Sequence, residues 1–179
     1  MSEKIIRATL DTTVILGAVG NPSEPSASVI AHGIAGVYTM VLAQSVIAEA
    51  LRHLRQGFGK VPPLSDRQME PLFATLFQHW WNPHRLVPAP PTTLNTTAIQ
   101  HESLGRWLVQ EGYITPESAR RLNPHMRVGD VSPKDLHVLA VALESGSEFI
   151  GTSNGKDYPD HCGVVIVPPS HFLMHLAPH

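Results

Sequence analysis

The chain has 179 residues, with 13 Lys+Arg against 15 Asp+Glu for a formal net charge of −2, and 16% charged residues where about 25% is usual. This balance, with 42% hydrophobic residues, excludes a disordered tail, a coiled coil and a strongly basic nucleic-acid module. It leaves room for an enzyme acting on nucleic acid, which needs local rather than global positive charge. A lone cysteine, Cys162, excludes an internal disulfide and a cysteine-rich zinc site. No stretch has the ~18 apolar residues that a membrane span requires. The start, MSEKIIRATLDTT, is interrupted by Arg7 and Asp11 and does not read as a signal peptide, so a cytoplasmic protein without membrane contact is expected.

In chain order, 5–10 (IIRATL) reads as a short buried strand with Asp11 at its carboxyl end. A helix is expected over about 26–33, after the loop GNPSEPS, and a second strand over about 37–42. In the helix AQSVIAEALRHLRQ, Val46, Ile47, Ala50, Leu51 and Leu54 share an apolar face, opposite Ser45, Glu49, Arg52 and His53. Helices are expected over about 65–80 and 97–110, and a short one is capped by Thr115-Pro116. The stretch from about 57 to 130 therefore reads as a helical elaboration of one domain spanning 1–179. Ser132-Pro133-Lys134-Asp135 reads as a helix start, and the LHVLAVALES that follows is apolar nearly all round, as in a helix packed on several sides. Strands EFIGTS (148–153) and VVIV (164–167) and a terminal helix from PPSHFLMHL complete the order. Alternating strands and helices without hairpin turns predict a parallel sheet between helical layers, an α/β fold with four to five strands.

In such sheets ligands bind beyond the carboxyl ends of the strands. Asp11 ends the first strand, Asn154 and Asp157 follow the third, and Glu49 and Asp135 lie near helix starts. Acids gathered at one sheet edge repel one another and become tolerable around a divalent cation; oxygen ligands suit Mg²⁺ or Mn²⁺. Each acid also has an ordinary role open to it. Asp11 could cap the following helix, Glu49 could be a solvated surface acid, Asp135 could belong to a capping box with Ser132, and Asp157 could be a turn residue.

LDTTV (10–14), QSVIAEALRHL (44–54), KDLHVLAVALESG (134–146) and FIGTSNGKDYP (149–159) resemble, in order, the four signature blocks of PIN-domain ribonucleases, a family that includes the VapC-type toxins of bacterial toxin–antitoxin pairs. The resemblance implies a three-layer α/β/α PIN-like fold. It implies a metal site of Asp11, Glu49 and Asp135, with Asn154 and Asp157 as outer ligands of Mg²⁺ or Mn²⁺. It departs from the commonest pattern at Asn154, where many members carry an acid, and at Thr13, where many carry Asn; the turn resembles a T-x-N-x-x-D branch.

The implied chemistry is metal-dependent hydrolysis of RNA phosphodiester bonds. Thr12, Thr13 and Ser45 are candidate donors orienting the acids, and Arg52, Arg55 and Lys156 are candidate phosphate contacts. A second basic group, Arg120, Arg121 and Arg127, is a candidate grip or a solvated face. The family further implies RNA as substrate, an antitoxin protein as partner and a homodimer. The rival reading is a catalytically inactive PIN-fold module that binds RNA or protein. His137 reads as a buried structural histidine, Trp80-Trp81 as a packing plug and Cys162 as inert. A haloacid-dehalogenase site would need an acid at Thr13, and a dinucleotide site a glycine-rich turn after the first strand; neither is present.

Overall fold

The computed structural model describes residues 5–80 and 94–177. Four strands, β1 (Arg7–Leu10), β2 (Thr39–Val41), β3 (Phe149–Gly151) and β4 (Val165–Val167), form one parallel sheet in the order β2-β1-β3-β4. The helices are α1 (Thr12–Gly20), α2 (Pro25–Ile34), α3 (Gln44–Gln56), α4 (Asp66–Leu76), α5 (Leu104–Gln110), α6 (Pro116–Ala119), α7 (Leu136–Glu144) and α8 (Pro169–Leu176). Ala8, Thr9 and Leu10 of β1 are wholly buried, as a central strand covered on both faces must be.

The chain runs from β1 outward to β2, then back across β1 to β3 and β4. Right-handed crossovers in opposite directions place α1 and α2 on one face and α7 on the other. The packing agrees: α1 lies on α2, α2 on α8, and α7 on β1 and β3 with α6 behind it. This is the three-layer α/β/α arrangement expected from the sequence. The reversal of direction falls between β1 and β3, so the ligand crevice of the fold opens at their carboxyl ends. Gly151 lets the two strands meet there, since a Cβ would stand 2.9 Å from Leu10 Cδ2.

Three elements differ from the sequence-based expectation. Helix α1, foreseen only through the possible cap role of Asp11, has a sequence, TTVILGAVG, that combines two threonines, two valines and two glycines of low helix propensity. It forms because Val14 and Ile15 are buried and Asp11 accepts the Thr12 N–H. The helix expected over 97–110 forms only at Leu104–Gln110, and the preceding residues turn instead, with Ile99 N–H donating to the Thr96 carbonyl. Helix α7 starts at Leu136, not at Pro133: Ser132 to Asp135 is a turn closed by the Asp135 N–H on the Ser132 carbonyl, and Asp135 is the N-cap residue without a side-chain capping bond. The capping-box role for Asp135 is therefore not formed.

All eight residues from Leu136 to Leu143 are buried, in keeping with a helix packed on several sides. Between 57 and 130 the described residues hold α4, α5, α6 and two short 3-10 turns, a helical elaboration. A single parallel bridge joins Trp80 to Leu42 at the outer edge of β2. The packing role expected of Trp81 lies outside the described residues.

Arg121, for which a basic grip and a solvated face were both open, serves the fold instead. Its guanidinium donates to the Ala142 and Leu143 carbonyls at 3.3 and 3.0 Å, and also to the carbonyls of Ser147 and Gly163. It thus caps the carboxyl end of α7, at the sheet edge opposite the crevice.

Gly163 has a φ of 83°, and a Cβ there would lie 2.3 Å from the Arg121 carbonyl oxygen, a backbone atom that cannot rotate away. Gly36 has a similar φ of 74° with open space around it. Gly36→Ala is expected to cost about 1–2 kcal/mol, the left-handed penalty alone. Gly163→Ala adds a backbone clash and is expected to cost roughly 3 kcal/mol or more. Urea midpoints of the two variants check this, and equal losses would show that the Arg121 contact does not constrain the loop.

Candidate active site

Asp11 is the centre of the crevice. It follows β1, is 5% exposed and caps α1 from an extended backbone conformation. Its Oδ1 accepts the Thr12 N–H at 2.6 Å, and its Oδ2 accepts the hydroxyls of Thr152 at 2.7 Å and Thr13 at 3.2 Å. Thr152 follows β3, and its hydroxyl oxygen accepts the Asn154 N–H at 3.0 Å. The Thr13 oxygen accepts the Ser153 N–H at 3.0 Å. The turns after the two neighbouring strands are thus stitched together through one carboxylate.

Glu49 comes from α3. Its Oε2 accepts the Thr12 hydroxyl at 2.8 Å, while Oε1 stands 3.7 Å from both Arg52 Nη2 and His53 Nε2. Thr12 therefore links two acids, with its N–H on Asp11 and its hydroxyl on Glu49.

Asp135 reaches the site from the start of α7. It is 7% exposed, and its Oδ2 is buried without a hydrogen-bond partner among the described residues. Burial first, and then the charge of Asp11, push its pKa up to about 6, with a smaller push from Asp157; Lys134 and Ser132 pull against this. Asp157, on the turn after β3, accepts a hydrogen bond from Lys134 Nζ at 3.2 Å. Tyr158 is buried beside the acids, its hydroxyl without a partner among the described residues, and burial and then Asp11, Asp135 and Asp157 hold its pKa far above the usual phenol range.

His137 is buried, and neither ring nitrogen completes a hydrogen bond among the described residues. Burial lowers its pKa. Opposing that are the charges of Glu49 and Asp11 and, more weakly, the nearby Lys134 backbone.

Of the residues singled out from the sequence, Asp11, Glu49, Asp135, Asp157, Thr12 and Thr13 are brought to one place. The Thr13 hydroxyl donates to Asp11 Oδ2 at 3.2 Å. Ser45 lies a turn before Glu49, but its buried hydroxyl bonds to none of the acids. Arg52 lies over Glu49 on the exposed side of α3. Arg55 points elsewhere: its Nε donates to Asp66 Oδ1 at 2.9 Å and ties α3 to α4. Asn154 and Lys156 stand exposed on the post-β3 turn, and only the Asn154 backbone N–H, donating to Thr152, joins the bonds around the acids. Three residues of the site were not singled out: Thr152, Lys134 and Tyr158. Position alone marks them, Thr152 closing a strand and Lys134 preceding an acid.

The donors are carboxylates and hydroxyls, a set that would fit a hard cation, and the buried Asp135 Oδ2, without a partner among the described residues, would be open to one. Among the described residues, no three Asp, Glu, His or Cys side chains form a ready-made metal cage.

Fold and site together define an α/β/α sandwich with acids at its topological switch point. No protein-family model matches the sequence, and no curated protein matches it. Among solved structures, a chain of VapBC-1 from nontypeable Haemophilus influenzae superimposes with a TM-score of 0.52 at 14% identity, over 92% of this chain and 99% of that one. At that identity the similarity is one of fold, and it matches the PIN-like arrangement expected from the sequence. Among the described residues, no helix is long and apolar enough to cross a membrane.

Proposed function

We propose that this protein is a metal-dependent endoribonuclease of the PIN type, acting as the toxin half of a toxin–antitoxin pair. The observation that carries the reading is the crevice between β1 and β3, where Asp11 is held by Thr13 and Thr152 and where Asp135 has a buried oxygen without a partner among the described residues. Asp11 and Asp135 would hold a Mg²⁺ or Mn²⁺ ion, with Glu49, Asn154 and Asp157 around it. Such an ion supplies an activated water and charge stabilisation on the phosphate. The Thr12 hydroxyl holds Glu49 by Oε2, and Arg52 and His53 stand 3.7 Å from its Oε1, so Glu49 would be oriented to position the attacking water. Arg52, beside Glu49, and the exposed Lys156 provide positive charge for the RNA backbone. The fold similarity to VapBC-1 supports a protein partner of antitoxin type; a homodimer is part of the same proposal.

The test is cleavage of a fluorescent RNA by the purified protein. Cleavage is expected with Mn²⁺ or Mg²⁺ and is expected to stop in EDTA. RNA binding without cleavage under any metal would favour a binding module, and cleavage that persists in EDTA would remove the metal from the reaction.

A further inference from the structure

Lys134 precedes Asp135 in sequence, and its side chain crosses to the turn after β3, where Nζ meets Asp157 Oδ2 at 3.2 Å. The lysine side chain is 60% exposed and that of Asp157 20%. An exposed pair of this kind is ordinarily worth little. The surroundings set this one apart. Lys134 adjoins Asp135 in the chain, and its partner Asp157 lies on the same post-β3 turn as Thr152, whose hydroxyl is bonded to Asp11. The ammonium thus joins the start of α7 to the turn that holds Asp11, between acids from separate segments. A divalent ion and this ammonium draw on the same negative charge, and each weakens the hold on the other.

We propose that Lys134 is the built-in counter-ion of the site: it neutralises the acids in the metal-free protein, gives up Asp157 when a divalent cation binds, and then faces the substrate phosphate. The inference rests on the metal-dependent reading above. Lysine suits the task, being a compact point charge on a flexible stem that can change partners without rebuilding a fixed hydrogen-bond fork.

Mn²⁺ binding measured by titration calorimetry without RNA tests it on the wild type, Lys134→Met and Lys134→Arg. Removing the competing charge is expected to tighten Mn²⁺ binding about fivefold in Lys134→Met, the scale of one exposed ion pair. Lys134→Arg keeps the charge and is expected to stay within about twofold of wild type. The gap should narrow as ionic strength rises. With RNA added, Lys134→Met is expected to raise KM more than it lowers kcat. Mn²⁺ binding that is equal or weaker in Lys134→Met sinks this inference alone. A wild type that binds no Mn²⁺ sinks both this inference and the metal-dependent reading.

Discussion

Asp11→Asn is expected to lower metal-dependent RNA cleavage by at least about a hundredfold while leaving the protein folded. The substitution is nearly isosteric. The asparagine carbonyl oxygen can still accept the Thr12 N–H now held at 2.6 Å, so the start of α1 keeps its cap. At the other oxygen, an amide would replace an acceptor that takes two hydroxyl hydrogen bonds, from Thr152 and Thr13. Both hydroxyls can rotate to accept instead, so the stitch between the β1 and β3 turns survives in altered form. What is lost is the negative charge at the centre of the crevice. Thr152→Val separates the two effects. It keeps the charge but removes a donor to Asp11 and the acceptor of the Asn154 N–H. Metal affinity in that variant is expected to fall about 10- to 100-fold, as it does when a ligand loses its orienting partner. Circular dichroism and Mn²⁺ calorimetry beside the cleavage assay distinguish loss of fold from loss of site. Undiminished metal-dependent cleavage in Asp11→Asn would place the chemistry elsewhere.

The parts of this site legible in the sequence are those set by chain direction. β-Branched runs mark the strands, strand ends mark the crevice edge, and Asp11 and Asp157 lie there whatever the details. Glu49 and Asp135 follow from the rule that helices after parallel strands begin at the same edge. What could not be read is which partner each polar group takes. Arg55 and Arg121 look as available as Arg52 in the sequence, yet Asp66 occupies the first and the end of α7 the second. Thr152 gains its role only because β3 lies beside β1, a pairing between residues 141 apart in the chain. Helix α1 was barely legible for a related reason: its stability comes from burial of Val14 and Ile15, and local propensity argues against it.

The metal-free protein is expected to lose stability as pH rises from about 4 to about 6, and Asp135→Asn is expected to abolish most of that loss. Burial and the charge of Asp11 hold the Asp135 pKa at about 6, above the value it takes in the unfolded chain. The folded state therefore binds this proton more tightly than the unfolded state does. Its contribution is fully present below the unfolded pKa and is lost as pH climbs through the folded one. A shift of about two pH units corresponds to roughly 3 kcal/mol at neutral pH. Asparagine fills the same space without a charge to desolvate and suits an N-cap position. In EDTA at pH 7, Asp135→Asn should therefore melt roughly 5–10 °C above wild type, and the two should converge near pH 4. Saturating Mn²⁺ should reverse the order, because a ligand that binds only the folded state stabilises the chain that can hold it. A variant less stable than wild type in EDTA at pH 7 would show that the Asp135 carboxylate is already satisfied without a cation. A fold that buries one oxygen of this carboxylate without a hydrogen-bond partner among the described residues does so at a cost to its own stability, and the two pH arms measure that cost.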